Sequence, residues 1–306
     1  MTELVEALLR ANLAAAAAVL VVLALRRPAR ALFGAELAYG LWLAPLLAGT
    51  ASFLPARSRT LAEAVTPTLF SDPVTALAAD GRAGPLLALW LSGAAATAAL
   101  MAVAQLRFLR QARLGLAGPA LVGVVAPRLV TPSDYERLYT DEERDVIRAH
   151  ERMHMDRDDN LMNALVAALQ VLCWFNPFVH WAAACLRTDQ ELACDAAVVA
   201  RHPRMRRRYA ETLLKTQLAP AALPLGCYWP APRRHPLEER IELLRRRGPR
   251  VQLHLAGAAA VMLVTAGSGA GSWLAKPIRL TQPAVDRPAP APRPPMLFMI
   301  YRDGRA

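Results

Sequence analysis

Long apolar stretches dominate this sequence and restrict the folds that it can adopt. Four of them lie at about residues 4–25, 37–54, 85–104 and 251–275, and each approaches the roughly 20 apolar residues that a helix needs to cross a bilayer. The 306 residues are 55% hydrophobic and only 6% aromatic, and their mean hydropathy is +0.23. Because this composition is too apolar for an ordinary soluble domain, we predict an integral membrane protein, mainly α-helical, with about four transmembrane helices.

Details of three of these stretches refine the prediction. The first could instead be a secretory signal peptide, but Arg10 lies within it, the cluster Arg26-Arg27-Pro28-Ala29-Arg30 follows it, and no convincing cleavage site ends it. We therefore favour a membrane span. In the second stretch Pro45 is expected to kink the helix. In the fourth, Gly267 and Gly271 form a small-xxx-small pair that favours packing against another helix.

Basic residues predict how the chain is oriented. They cluster between the first two spans, after the third and before the fourth: Arg26, Arg27 and Arg30; Arg107, Arg110 and Arg113; Arg245, Arg246, Arg247 and Arg250. Positive residues next to membrane spans face the cytoplasm, so the N-terminus, the loop 55–84 and the tail are expected outside. The net charge of +11 then reflects these flanks and not nucleic-acid binding, because no nucleic-acid recognition motif accompanies it.

A motif of metal chemistry lies between the third and fourth stretches. His150, Glu151 and His154 form H-E-x-x-H, and the upstream pair Thr140 and Glu143 predicts a capped helix start. Residues four apart share one helix face, so both imidazoles can bind one Zn²⁺ while Glu151 serves as general base. The alternative is a polar helix with two incidental histidines.

A catalytic zinc takes three protein ligands, and the segment 188–195 offers a third. Glu191 and Asp195 are four residues apart, so they share a face if the segment is helical. We predict that Glu191 binds the metal. We also predict that Asp195 accepts a hydrogen bond from the far nitrogen of a ligating histidine, which would fix the tautomer of that ring. The alternative is an acidic helix start without a metal.

The uncharged run from Leu161 to Leu186 conflicts with this metal site unless the chain turns back. The run is long enough to cross a bilayer, and a crossing would place His154 and Glu191 on opposite sides of the membrane. Asn176-Pro177 offers a turn, since proline breaks a helix and Asn-Pro favours a bend. We therefore predict an apolar helical hairpin at 161–186, either buried in the domain or dipping into the near leaflet.

Several segments together resemble the BlaR/MecR-type membrane metallopeptidases, the bacterial antirepressor signal transducers of β-lactam resistance. The resemblance is carried by AHERMHMDRDDNLMNAL, WFNPFVHW and DQELACDAAVVARHP, with LLKTQL and HPLEERIELL further on, and it covers most of residues 1–275. It implies zinc bound by His150, His154 and Glu191, with Glu151 catalytic. Such transducers also carry a large extracellular penicillin-binding domain, for which the roughly thirty residues after the last predicted span are too few.

The spans and the motifs together predict the domain organisation. Residues 1–106 hold three membrane helices, 107–250 form a cytoplasmic α+β gluzincin-like domain, 251–275 form the fourth membrane helix and 276–306 a Pro-rich extracytoplasmic tail. The stretch 119–130, cut by Gly and Pro, predicts one or two short strands. Such strands could hold an extended peptide along an exposed edge, and a purely structural hairpin is the equal alternative.

The combined prediction is a membrane-embedded zinc endopeptidase of signal transduction, multi-pass in the bacterial inner membrane. By the resemblance, its partners are the lipid bilayer and a protein substrate, namely a DNA-binding repressor or the protein itself, with a homodimer left open. One alternative is a catalytically silent signalling or scaffold protein that keeps the zinc fold, against which the intact Glu151 argues. Another is the remnant of a TonB-like transducer, suggested by the Pro-rich tail.

Overall fold

The computed structural model describes residues 2–60, 83–218, 236–245, 251–276 and 279–281, and these are largely helical. The helices are α1 (Thr2–Phe33), α2 (Ala35–Gly40), α3 (Leu43–Ala51), α4 (Ala83–Arg113), α5 (Tyr135–Leu138), α6 (Asp141–Asp156), α7 (Asp159–Leu172), α8 (Pro177–Arg201), α9 (Arg206–Leu218), α10 (Pro236–Arg245) and α11 (Val251–Leu274), with a 3-10 turn at Pro203–Met205. The strands are β1 (Ser58–Thr60), β2 (Ala120–Val122), β3 (Arg128–Val130) and β4 (Arg279–Thr281). The predicted mainly α fold class is confirmed.

The chain divides into two compact units. The second comprises residues 56–70 and 277–306, and the first comprises the rest of the chain up to Lys276. In the second unit β1 pairs in parallel with β4. Most of the predicted Pro-rich tail lies outside the described residues.

Three of the described helices, α1, α4 and α11, are long and apolar enough to cross a membrane. They contain the first, third and fourth predicted spans. Each exposes large apolar side chains, among them Leu13, Leu100 and Met262, and an extended apolar surface of this kind suits lipid and not water. The chain is therefore a membrane protein.

The predicted second span at 37–54 does not form one continuous helix. The chain forms α2 and α3 with a turn between them at Leu41 and Trp42. Pro45 is the third residue of α3, where a helix leaves its backbone N–H groups without internal acceptors, so a missing N–H is tolerated there. The break at Leu41 and Trp42 lies one turn before Pro45, which has no N–H to donate to the carbonyl of Leu41. A proline disrupts a helix at this position, so the predicted kink takes the form of a break between α2 and α3.

The two largest apolar clusters among the described residues both lie in the first unit. One lies between α1, the α2–α3 segment, α7 and α8, and its buried members include Val22, Trp42, Val166 and Leu186. The other lies between α6, α8, α9 and α10 and is built from buried residues such as Val146, Cys194, Val198, Tyr209 and Leu244. Helix α8 contributes to both cores, so it connects the membrane helices with the helix that carries H-E-x-x-H.

Local signals explain where α6, α7 and α8 begin and end. Thr140 and Glu143 form the reciprocal capping box at the start of α6, as the sequence predicts. Helix α7 ends at Leu172, and the side chain of Asn176 accepts a hydrogen bond from the Phe178 N–H at 3.0 Å to cap α8. The uncharged run at 161–186 is thus two helices joined by a turn, and α7 contacts α8.

A short antiparallel hairpin, β2–β3, precedes the helices of the metal motif. Gly123 in its loop has φ +106°, where a Cβ would lie 2.8 Å from the carbonyl oxygen of Ala126, so a side chain would be strained there. The Asn160 amide donates to the carbonyl of Gly123 at 2.7 Å. This contact fixes the hairpin loop against the start of α7. The prediction of one or two short strands at 119–130 is confirmed, and there are two.

Glycines on α11 show which of its faces packs closely. A Cβ at Gly257 would lie 2.6 Å from both Cβ and Cγ of Phe33 and 2.8 Å from Leu37. Among the described residues no atom lies within 4 Å of a Cβ built at Gly267 or Gly271. The predicted packing face at Gly267 and Gly271 is therefore wrong for this part of the chain, and the close approach of α11 to α1 occurs at Gly257.

Replacing Gly257 by alanine tests this packing. Phe33 Cβ and Cγ lie too near the backbone to move aside, and overpacking of this kind costs about 1–3 kcal/mol. Gly267→Ala is the matched control, because both changes gain the same helix propensity of about 1 kcal/mol. We expect the free energy of unfolding in detergent to be lower for Gly257→Ala than for the control. Equal values would contradict the close approach.

Candidate metal centre

Helix α6 brings the two histidines of the motif together. His150 and His154 lie one turn apart, and their Nε2 atoms are 3.1 Å apart. At this separation both nitrogens can bind one ion. Two imidazoles can therefore reach a single ion without a change of backbone.

Glu191 on α8 completes a triangle of donor atoms. Its Oε2 lies 3.5 Å from Nε2 of His150, and its Oε1 lies 3.5 Å from Nε2 of His154. Ligands about 2.05 Å from a tetrahedral zinc ion stand about 3.4 Å apart. The observed separations of 3.1 and 3.5 Å are close to this value, with a different carboxylate oxygen facing each imidazole. The residues predicted from the sequence as ligands are thus brought together.

The Glu191 side chain is 36% exposed, so one side of this triangle is accessible. A catalytic zinc site keeps one position open for water or substrate, whereas a structural site is closed by four protein ligands. The partial exposure of Glu191 therefore suits a catalytic arrangement.

Asp159 orients the ring of His154. Its Oδ2 lies 2.6 Å from Nδ1 of His154, and Asp159 itself is 1% exposed. The Tyr39 hydroxyl donates to the other carboxylate oxygen at 3.1 Å, and the Gln190 amide donates to Tyr39 at 3.1 Å. This chain of contacts fixes a proton on Nδ1 and leaves Nε2 free to bind a metal.

Tyr209 orients the ring of His150. Its hydroxyl lies 2.7 Å from Nδ1 of His150 and donates to Oδ1 of Asp195 at 2.6 Å. Asp195 Oδ1 is 3.6 Å from Nδ1 of His150, which is too long for a hydrogen bond. The predicted direct contact between Asp195 and a histidine is therefore wrong, because a tyrosine hydroxyl lies between them.

Arg240 on α10 is the principal partner of Asp195. Its Nε and Nη2 donate to the two carboxylate oxygens, both at 2.7 Å, and its Nη1 lies 3.0 Å from Oε2 of Glu191. Arg240 is 4% exposed and Asp195 is fully buried. The guanidinium thus holds Glu191 at the triangle while it neutralises Asp195.

Two ionisable groups of α6 reflect this environment. Burial lowers the pKa of His154, but hydrogen bonds with Asp159 and Cys194 and the charge of Glu191 outweigh it and raise the pKa to about 10. The surrounding groups therefore favour positive charge at this place, as a bound cation would supply. Burial raises the pKa of Glu151, against the opposing charges of His150 and His154, and a raised pKa suits a carboxylate that must take up a proton near neutral pH.

Cys194 offers a competing set of ligands. Ligand atoms of His150, His154 and Cys194 lie within 4.8 Å of one another. The sulfur lies 3.4 Å from Nδ1 of His150, the nitrogen that Tyr209 also contacts, and it interacts with His154 as well. Cys194 is fully buried. We therefore treat it as a thiol packed behind the imidazoles.

Four residues that support the site are not predicted from the sequence: Asp159, Tyr209, Arg240 and Tyr39. Asp159 stands five residues after His154 in the acidic run Asp156–Asp159, which is a usable signal. Arg240 lies in HPLEERIELL, a segment that the family resemblance already includes. Tyr39 and Tyr209 are distant in sequence from the motif, and no local pattern connects them to it.

Replacing Asp195 by asparagine tests the role of the Arg240 pair. The change leaves the buried Arg240 with Glu191 as its remaining carboxylate, and breaking a buried ion pair costs about 3–5 kcal/mol. Asp156→Asn is the matched control, because Asp156 is 43% exposed and pairs with Arg201 at 2.8 Å, and surface pairs contribute at most about 1 kcal/mol. We expect denaturant unfolding to show a much larger decrease in the free energy of unfolding for Asp195→Asn than for Asp156→Asn. Similar decreases for the two variants would contradict this assignment.

Comparison with known proteins agrees with this geometry. A family model described as BlaR1 peptidase M56 matches residues 6–114 and 111–244. Regulatory protein BlaR1 of Bacillus licheniformis is 33% identical over 98 residues, which are 32% of this chain and 16% of that relative, and no solved structure gives a significant match. Because the family model matches well over half of the chain, the protein belongs to the BlaR1 peptidase M56 family.

Proposed function

We propose that this protein is a membrane-bound zinc endopeptidase that acts in signal transduction. The observation that carries the proposal is the triangle of His150 Nε2, His154 Nε2 and the Glu191 carboxylate, with separations of 3.1 and 3.5 Å. Two imidazoles and one carboxylate form a donor set of catalytic zinc sites. Zinc bound there would polarise the scissile carbonyl and lower the pKa of a water molecule.

Glu151 is the proposed catalytic residue. It follows His150 directly on α6, and its pKa is raised by burial. Its carboxylate takes a proton from the attacking water and returns it to the leaving amine of the cleaved peptide. A site that only binds a metal has no need of such a base, so Glu151 argues against a silent scaffold.

The neighbouring residues hold the ligands in place. Asp159 accepts the Nδ1 proton of His154, and Tyr209 accepts that of His150. Arg240 fixes the carboxylate of Glu191. These contacts prearrange both rings and the carboxylate, so little reorganisation is needed when a metal binds.

The proposed substrate is a cytoplasmic DNA-binding repressor, the protein itself, or both. The relative named Regulatory protein BlaR1 supports a regulatory role, and the arginines at the ends of α1 and α4 support a cytoplasmic position for the metal centre in the inner membrane. The β2–β3 hairpin, fixed to α7 through Asn160 and Gly123, is the proposed edge along which an extended peptide lies.

Substitution of the two glutamates separates their roles. Glu151→Gln leaves all three ligands in place, so we expect near-stoichiometric zinc with hydrolysis reduced by at least about 100-fold. Glu191→Ala removes a ligand and should lose both tight zinc binding and activity. Glu142→Gln, on the same helix and 63% exposed, is the matched control and should behave as wild type.

Zinc content of the purified variants and cleavage of a quenched fluorescent peptide library provide the measurements, with mass spectrometry of the chain itself to detect self-cleavage. Full zinc in Glu191→Ala would show that the third ligand lies elsewhere. Hydrolysis at the wild-type rate by Glu151→Gln would refute the proposed mechanism.

A further inference from the structure

We propose that the hairpin formed by α7 and α8 is inserted into the lipid bilayer beside α1 and α4, with its turn in the hydrocarbon core. The partner of its outer face is then lipid acyl chains. This inference concerns the hairpin alone and does not depend on the catalytic proposal.

Two polar contacts fix the course of α8 along α1. The Asn176 amide donates to Asn12 at 2.7 Å, and Asp189 faces Arg26 at 3.4 Å and accepts from Arg30 at 2.9 Å. At about 1.5 Å per residue, Asn12 and Arg26 are roughly 21 Å apart along α1, and Asn176 and Asp189 are roughly 20 Å apart along α8. The two helices therefore run side by side in the same direction for about 20 Å.

Helix α1 provides a measure of depth. It is one of the helices that are apolar enough to cross a membrane, and its basic residues Arg26 and Arg30 mark the end at the membrane surface. The hydrocarbon core is about 30 Å thick. Because Asn176 is level with Asn12, the turn of the hairpin lies about 20 Å from that surface, within the core.

Helix α4 gives a second measure of the same depth. The indole of Trp90 donates to the carbonyl of Leu172 at 2.8 Å, and the indole of Trp174 donates to the carbonyl of Trp90 at 3.2 Å. Trp90 lies roughly 26 Å along α4 from Arg107, the first arginine at its basic end. Both membrane helices thus place the turn deep in the bilayer.

These contacts also supply hydrogen-bond partners for polar groups at the turn, which lipid cannot supply. Non-helical backbone is tolerated at membrane depth only where protein groups satisfy it. Trp90 satisfies the carbonyl at the end of α7, and Asn176 caps α8 while it binds Asn12. A Cβ at Gly93 would lie 2.1 Å from the ring of Trp174, so α4 approaches the turn closely.

The outer face of the hairpin is apolar along its whole length. No Asp, Glu, Lys or Arg occurs from Leu161 to Leu186. Large apolar side chains on this hairpin are 40% to 50% exposed: Leu161, Leu165, Leu172, Phe175, Phe178 and Trp181. In water such a surface would favour aggregation, whereas beside two membrane helices it continues their lipid-facing surface.

Spin labels on cysteines at Leu172 and Phe178 test the insertion in the full chain, reconstituted in phosphatidylcholine–phosphatidylglycerol vesicles. Cys227 is changed to serine. The other native cysteines, Cys173, Cys185 and Cys194, are buried and are kept. Leu100 on α4, 73% exposed, is the control for a lipid-facing position, and Val125, 99% exposed, is the control for water. Collisions of each label with oxygen and with a water-soluble nickel chelate are measured.

We expect labels at 172 and 178 to resemble the label at 100, with oxygen collisions exceeding those of the nickel chelate. A label at Leu161 should lie shallower than the one at Leu172 by roughly 16 Å, the length of the intervening helix. Strong collisions with the nickel chelate, as at Val125, would overturn the proposal. Weak collisions with both reagents would overturn it too, because they would show that protein, such as a second copy of this chain, covers the hairpin.

Discussion

Asp189 joins the membrane helices to the helix that carries the third candidate metal ligand. Its carboxylate is 1% exposed, accepts hydrogen bonds from Arg30 and from the indole of Trp42, and faces Arg26. A buried carboxylate is tolerated only when it is paired and hydrogen-bonded, so α1, the turn after α2 and α8 must meet around it. Glu191 lies about half a helical turn further along α8, so its position depends on this contact.

The candidate metal centre draws its supporting contacts from distant parts of the chain. Tyr39 reaches Asp159 from α2, Tyr209 reaches His150 from α9, and Arg240 reaches Glu191 from α10. Each ring nitrogen that points away from the centre is therefore fixed by a different element. The buried charges are also balanced locally, because the guanidinium of Arg240 lies between two carboxylates and removes the cost of an isolated charge.

Short-range signals of the sequence predict the local structure, and long-range contacts account for what they miss. The spacing of His150 and His154, the capping pair at Thr140 and the Asn-Pro turn before α8 depend on neighbouring residues, and all three are found. By contrast, the indole of Trp42 donates to Asp189, 147 residues away, and no local pattern predicts this contact. The predicted contact between Asp195 and a histidine is wrong for the same reason, since Tyr209 and Arg240 approach Asp195 only in the folded chain.

X-ray absorption at the zinc edge of the purified, zinc-loaded protein tests the central claim most directly. The triangle of His150, His154 and Glu191 predicts a shell of nitrogen and oxygen atoms at about 2.0–2.2 Å, with the imidazole scattering of two histidines and no sulfur. A sulfur atom at about 2.3 Å would show that Cys194 replaces Glu191 as a ligand. That result would contradict the assignment of the three donors on which the proposed chemistry rests.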